Sequence, residues 1–183
     1  NEQQQVTHYI SVFADITELK ASQAKLEQMA HYDHLTDLPN RTLFYQVLQE
    51  ALAAAALTQT SVAVMFLDLD GFKAVNDTWG HVVGDKILYA FADICRFNIR
   101  EGDIVGRFGG EEFIILLQSP NEEASWVLVE RLRKKVEDQI FIHDIKITAS
   151  FGAAKIETES QFMSALEIAD KHLYEAKNSG RNR

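Results

Sequence analysis

Cysteine occurs once in this 183-residue chain and proline twice. A lone cysteine excludes an intramolecular disulfide framework, which suits a reducing compartment, and Cys95 stands at helical spacing in "YAFADICRF", as a core residue does. Basic residues are in deficit: 18 Lys and Arg against 27 Asp and Glu give a formal net charge of -9 and a pI of about 5.1. That balance opposes non-specific binding to a phosphate backbone, which needs a basic surface to release counterions, so nucleic acid is not an expected partner. Long apolar runs are missing as well. Nothing approaches the roughly 20 residues of a membrane span, and the N-terminus has no signal-peptide pattern. The chain reads as soluble and cytoplasmic, with no membrane segment of its own; membrane association of a longer natural protein stays open.

What is present, 46% hydrophobic residues, is enough for one sizeable core with some chain left over. Residues 1–16, with "VTHYISVFADIT", alternate and are rich in β-branched residues, like the last strand of a preceding domain. Residues 17–30 follow as a linker helix, with Leu19 and Leu26 one heptad apart and Met29 or Ala30 continuing the stripe; a solvated helix and a dimerising one fit equally.

The main domain spans 31–183. Its first helix is "LPNRTLFYQVLQEALAAAAL", with Asn40 as cap and Leu43, Val47, Leu48 and Leu52 on one face. "SVAVMFLDLD" is a continuous apolar strand, followed by two helical stretches, "GFKAVNDTWG" and "DKILYAFADICRFNI". "DIVGRF" and "EFIILL" flank Gly109 and Gly110, which predicts a hairpin turning at the glycine pair. A helix with Ala124, Val127, Leu128, Leu132 and Val136 on one side, the strand "IKITASFGAAKI" and a last helix ending at "NSG" complete the pattern. Trp79 and Trp126 read as core or partly buried contacts, and His31 and His34 as solvated hinge residues. The order β-α-α-β-β-α-β-α, with only "VAVMFL" and "FIILL" apolar throughout, predicts an α+β fold of ferredoxin or palm type: a four-stranded antiparallel sheet with those two strands central, flanked by helices and preceded by the linker helix.

Antiparallel neighbours bring opposite ends together. Asp68 and Asp70, ending one central strand, should therefore crowd against Glu111 and Glu112, beginning the other. Carboxylates so close repel and raise each other's pKa unless a cation holds them, and hard oxygen donors suit Mg²⁺ or Mn²⁺. Metal-dependent phosphoryl or nucleotidyl transfer follows as the expected chemistry.

"GGEEF" at 109–113, "DLDGFKAVNDTWGHVVGD" at 68–85, "ADKHLYEAKNSGRNR" at 169–183 and "DHLTDLPNR" at 33–41 together resemble the GGDEF family of diguanylate cyclases, in the family's order. The segment "VFADITELK" is similar to the end of a PAS sensor domain. The GGDEF resemblance implies a nucleotide cyclase-like fold and condensation of two GTP into cyclic di-GMP with release of pyrophosphate, in bacterial second-messenger signalling. It also implies two divalent metals, Mg²⁺ or Mn²⁺, per active site and a homodimer whose halves each bring one GTP. Asp68, Glu111 and the Leu69 carbonyl match the metal ligands, Glu111 being the catalytic signature position; Asn76 and Asp85 match the guanine-reading residues; Lys73, Lys177 and Arg181, with the turn amides of Gly71 and Phe72, match phosphate contacts. Arg100 and Asp103, in "REGD" five residues before Gly109, match an allosteric site where cyclic di-GMP inhibits its own synthesis. The alternative is a non-catalytic GGDEF module that binds GTP or cyclic di-GMP for regulation.

Overall fold

Asn40 closes the first turn of a long helix with its side chain: its Oδ1 accepts from the backbone N–H groups of Thr42 at 3.0 Å and Leu43 at 3.1 Å. In the computed structural model, which describes residues 14–118, 121–156 and 158–183, that helix is α2, Arg41–Thr58. It follows α1, Thr17–His31, which buries none of its residues. Then come β1 (Val62–Leu69), α3 (Phe72–Trp79), α4 (His81–Asn98), β2 (Ile104–Gly109), β3 (Glu112–Gln118), α5 (Glu122–Asp138), β4 (Ala149–Ile156) and α6 (Phe162–Asn178). The strand expected to end a preceding sensor domain lies, up to residue 13, outside the described residues.

The four strands form one antiparallel sheet in the order β2-β3-β1-β4. β1 and β3 are therefore central, as their unbroken apolar composition requires of strands covered on both faces. Alternation along β1 splits the core in two. Ala63, Met65, Leu67 and Leu69 pack with Phe72 of α3, Phe91 of α4 and Leu132 of α5, while Val62 and Val64 pack with Leu48 of α2 and Ala169 of α6. Helices thus cover both faces, and the acidic residues singled out in the sequence lie at the end of the sheet where β1 stops. Cys95 is fully buried, which pushes its thiol pKa up and leaves it inert.

Two helix faces and one tryptophan differ from the sequence expectation. The buried side of α2 centres on Phe44, Leu48, Ala51, Leu52 and Ala55, with Leu43 and Val47 only partly buried, because the alanines let the helix approach the sheet closely. On α5, Leu128, Leu132 and Val136 are buried, but Ala124 and Val127 are exposed. Trp126, expected to be at least partly buried, is 70% exposed on this first stretch of α5, whereas Trp79 is about half exposed and stacks on His143, ring centroids 5.0 Å apart.

Candidate active site

The site grows from the last residues of β1. Asp68 continues the Val62-Val64-Phe66 side of the strand, faces Glu112 across the β1–β3 register and is 5% exposed. Lys177, near the end of α6, reaches it with Nζ 2.8 Å from Oδ2. Burial raises the Asp68 pKa most; Lys177 pulls it back, and Glu111 and Glu112 push it further up. Asp68 is thus a buried carboxylate that gathers positive charge, with two more carboxylates near enough to be felt.

The hairpin turns one residue later than the glycine pair suggests. A bulge between Arg107 and Gly109 pairs Gly109 with Glu112, so Gly110 and Glu111 form the tip, and both glycines take positive φ, 150° and 50°. Glu111 therefore belongs to the turn, half-buried, and not to the strand. The turn is braced by Arg107, a residue the sequence reading passed over. Its Nε and Nη2 donate to the Gly110 carbonyl at 3.0 and 2.8 Å, and its Nη1 to Asp33 Oδ1 at 2.8 Å. The only hint in sequence is an arginine just ahead of the glycine pair.

Asp70 leaves the expected cluster. Its carboxylate accepts from the hydroxyls of Thr148 and Ser150, each at 2.7 Å, and from the Asn182 backbone N–H at 3.1 Å. Among the described residues no group of three or more His, Cys, Asp or Glu stands together as a metal cage. The donors at the end of β1 are nonetheless of the right kind for Mg²⁺ or Mn²⁺: hard carboxylate oxygens of Asp68 and Glu111, with the main-chain carbonyl of Leu69 between Asp68 and Asp70. Asp68 already draws a cation, the Lys177 ammonium. A metal here fits as one held by few protein oxygens and completed by substrate.

α3 starts at Gly71, whose left-handed φ of 75° turns the chain out of β1, and is anchored by Phe72, 4% exposed. Lys73 is exposed on its first turn. One turn on, the Asn76 side-chain oxygen is buried without a hydrogen-bond partner. It has room because α4 carries glycine opposite: a Cβ on Gly84 would lie 2.0 Å from that oxygen. Gly84 is a second residue missed in sequence, its signal being a glycine inside a helical pattern. Asp85, the next residue, is exposed. Arg181 is exposed in the segment after α6.

Arg100 and Asp103 pair with each other at 3.0 Å, Asp103 being 8% exposed. The second Asp103 oxygen accepts from the Gln118 N–H at 3.0 Å, and Arg100 also donates to the Gln118 carbonyl. The pair ties the loop before β2 to the end of β3, at a cavity of about 430 Å³ also lined by Leu128 and Arg131.

Residues 30–183 match the family described as diguanylate cyclase, GGDEF domain. The chain is 40% identical over 169 residues to the bifunctional diguanylate cyclase/cyclic di-GMP phosphodiesterase MucR of Pseudomonas aeruginosa, covering 91% of this chain and 25% of that protein. It is 40% identical over 158 residues to the diguanylate cyclase DgcS of Shewanella oneidensis, covering 86% and 53%. The chain thus spans a quarter and about half the length of these two relatives. The crystal structure of the coiled coil and GGDEF domain of DgcB from Caulobacter crescentus, in complex with c-di-GMP, superposes with a TM-score of 0.85 at 29% identity over 92% of each chain. Sheet order, signature hairpin and overall match agree, and the chain belongs to the GGDEF family of diguanylate cyclase domains.

Proposed function

We propose that this domain condenses two GTP molecules into cyclic di-GMP, releasing two pyrophosphates. The observation that carries this reading is the buried Asp68, bonded to Lys177 and within electrostatic reach of Glu111 and Glu112 at the open end of the sheet. Carboxylates and cations that share one edge suit a triphosphate bound through divalent metal. Asp68, Glu111 and the Leu69 carbonyl would hold Mg²⁺ or Mn²⁺, two per site, which when bound neutralise the triphosphate and acidify the attacking hydroxyl.

The chain's own residues bind and orient. Asn76, with its unpartnered oxygen, and Asp85 accept from the guanine N1 and N2 donors. Lys73, Lys177 and Arg181 neutralise phosphate oxygens, and the N–H groups of Gly71 and Phe72 at the start of α3 approach them as well. Each domain holds one GTP, so the 3′-hydroxyl of one molecule attacks the α-phosphorus of the other only when two domains face each other. Each transfer forms one phosphodiester bond and expels one pyrophosphate; the second closes the ring. Arg100 and Asp103 form the proposed inhibitory site for the product.

Product formation from GTP with Mg²⁺ or Mn²⁺, resolved by mass spectrometry beside Glu111→Ala, tests the reading. Cyclic di-GMP that vanishes in the variant supports it; metal-dependent GTP binding without product would assign the domain to regulatory nucleotide binding.

A further inference from the structure

Asp70 has no place in the chemistry just described, yet its carboxylate is the best-satisfied in the site. Thr148 Oγ1 donates to Oδ2 and Ser150 Oγ to Oδ1, both at 2.7 Å, and the Asn182 N–H donates to Oδ2 at 3.1 Å. The backbone N–H of Asp70 itself bonds the Thr148 carbonyl at 2.8 Å. One side chain at the end of β1 thereby fixes both the start of β4 and the segment that follows α6.

That segment follows a course a chain does not take unaided. Gly180, Arg181 and Asn182 all have positive φ, at 114°, 61° and 52°, and Arg181 carries a side chain that disfavours it. Such a path persists where surrounding contacts over-determine it. Here they do. The Arg181 N–H is held by the Ala176 carbonyl at 3.0 Å, Asn182 by Asp70 through its backbone and by Glu137 through its side chain at 2.8 Å, and the Arg183 carbonyl by the Phe151 N–H at 2.8 Å. Arg181 lies between the first two ties with its side chain exposed.

We propose that Asp70 is a positioning residue: it holds Asn182 so that the left-handed turn presents the Arg181 guanidinium to the β- and γ-phosphates of a bound nucleoside triphosphate. This rests on the reading of the site as a GTP site. It also separates the two aspartates of the Asp68-Leu69-Asp70 strand end. Asp68 faces the nucleotide edge, whereas both oxygens of Asp70 are engaged by protein donors, one of them a backbone N–H that cannot turn to accept. In Asp70→Asn the amide oxygen can stay toward Thr148 and Asn182 while the NH₂ group turns to the Ser150 hydroxyl, which rotates and accepts from it. What the variant removes is the negative charge that strengthens the Asn182 tie.

Calorimetric titration of GTP and of GMP, with Mg²⁺, into the native chain, Asp70→Asn, Arg181→Ala and the double variant tests this. Asp70→Asn should weaken GTP about fivefold or more, the scale of charge assistance to one hydrogen bond, and leave GMP unchanged. Arg181→Ala should do the same, and the double variant should be no weaker than Arg181→Ala alone. Equal weakening of GMP and GTP, or losses that multiply in the double variant, would overturn the proposal. Hydrogen exchange without nucleotide gives a second reading: the Asn182 amide should exchange at least about fivefold faster in Asp70→Asn, its bond having lost the carboxylate charge, and unchanged protection would also overturn it. Thr148→Val, which removes only one orienting hydroxyl, replaces Asp70→Asn if that variant does not fold, with the same expected direction. A native chain that binds neither nucleotide would defeat the GTP reading itself, a result distinct from binding that Asp70→Asn leaves intact.

Discussion

At the scale of single residues, the site contains groups that work against the fold. Burial is the largest influence on Asp68 and raises its pKa, with Lys177 only partly opposing it. A carboxyl whose folded pKa lies above its unfolded value favours folding below about pH 4, and that contribution is lost as pH rises through the folded value. At neutral pH the ionised Asp68 therefore costs stability. Asp68→Asn should lower cyclase activity by at least about 100-fold while Tm at pH 7 stays equal to or above that of the native chain; Lys177, one-third exposed, turns to water. Thermal melts beside the product assay check this, and a Tm fall of several degrees would mean that the Asp68–Lys177 pair stabilises the fold outright. Gly84 makes a complementary case. Gly84→Ala drives a methyl into the Asn76 oxygen, so KM for GTP should rise about tenfold while the helix itself, gaining alanine, is not weakened. The acidic end of β1 carrying Asp68 was legible in the sequence, but the bonding of Asp70 was not. Its partners lie 78, 80 and 112 residues further along the chain, and no local pattern carries that information.

At the scale of elements, β1 and β3 could be placed in the sheet's centre because every one of their apolar positions needs cover, a property visible in composition. The hairpin tip was misplaced by one residue because a bulge leaves no trace in the alternation that identifies strands. The same hairpin is joined to the segment after α1: Arg107 spans from the Gly110 carbonyl to Asp33, the pair only 10% and 17% exposed. Burial pushes the Asp33 carboxyl up, but hydrogen bonds from Thr36 and Arg107 more than reverse this and hold it below the usual carboxylate range. Its stabilisation is therefore complete above about pH 4 and fades as pH falls through the lowered folded value. Asp33→Asn should lower Tm by about 2–4 °C at pH 7, a loss of roughly 1 kcal/mol in a domain of this size. The gap between variant and native chain should close on acidification below about pH 4. Melts across pH check both, and a gap that persists in acid would place the stabilisation in the Thr36 turn instead of the ion pair.

At the scale of the whole molecule, the proposed chemistry joins two GTP molecules, and on that proposal each domain brings one. Under that proposal, α1 would be the element that brings two copies together. Leu19, Leu26 and Met29 are 66%, 64% and 68% exposed on a helix that buries none of its own residues. Its last turn is bonded to the domain through Asn40 Nδ2 to the Ala30 carbonyl at 2.9 Å and Gln28 to Asp37 at 3.3 Å. A heptad stripe this short pairs weakly, yet pairing turns the encounter of two GTP-loaded domains into an intramolecular event. The rate of cyclic di-GMP formation should then rise more steeply than protein concentration at low concentration and become proportional to it once dimers saturate. Leu19→Asp with Leu26→Asp should shift that crossover to higher concentration by about tenfold or more, the effective-concentration gain being lost, without changing GTP affinity or the rate per dimer at saturation. Kinetics over a wide range of protein concentration, with sedimentation under the same conditions, measure the crossover and the assembly together. A crossover that ignores the charged helix would place the dimerising contact on the catalytic faces themselves, and a strictly proportional rate at concentrations where sedimentation finds monomer would mean that the domain does not act in pairs formed in solution.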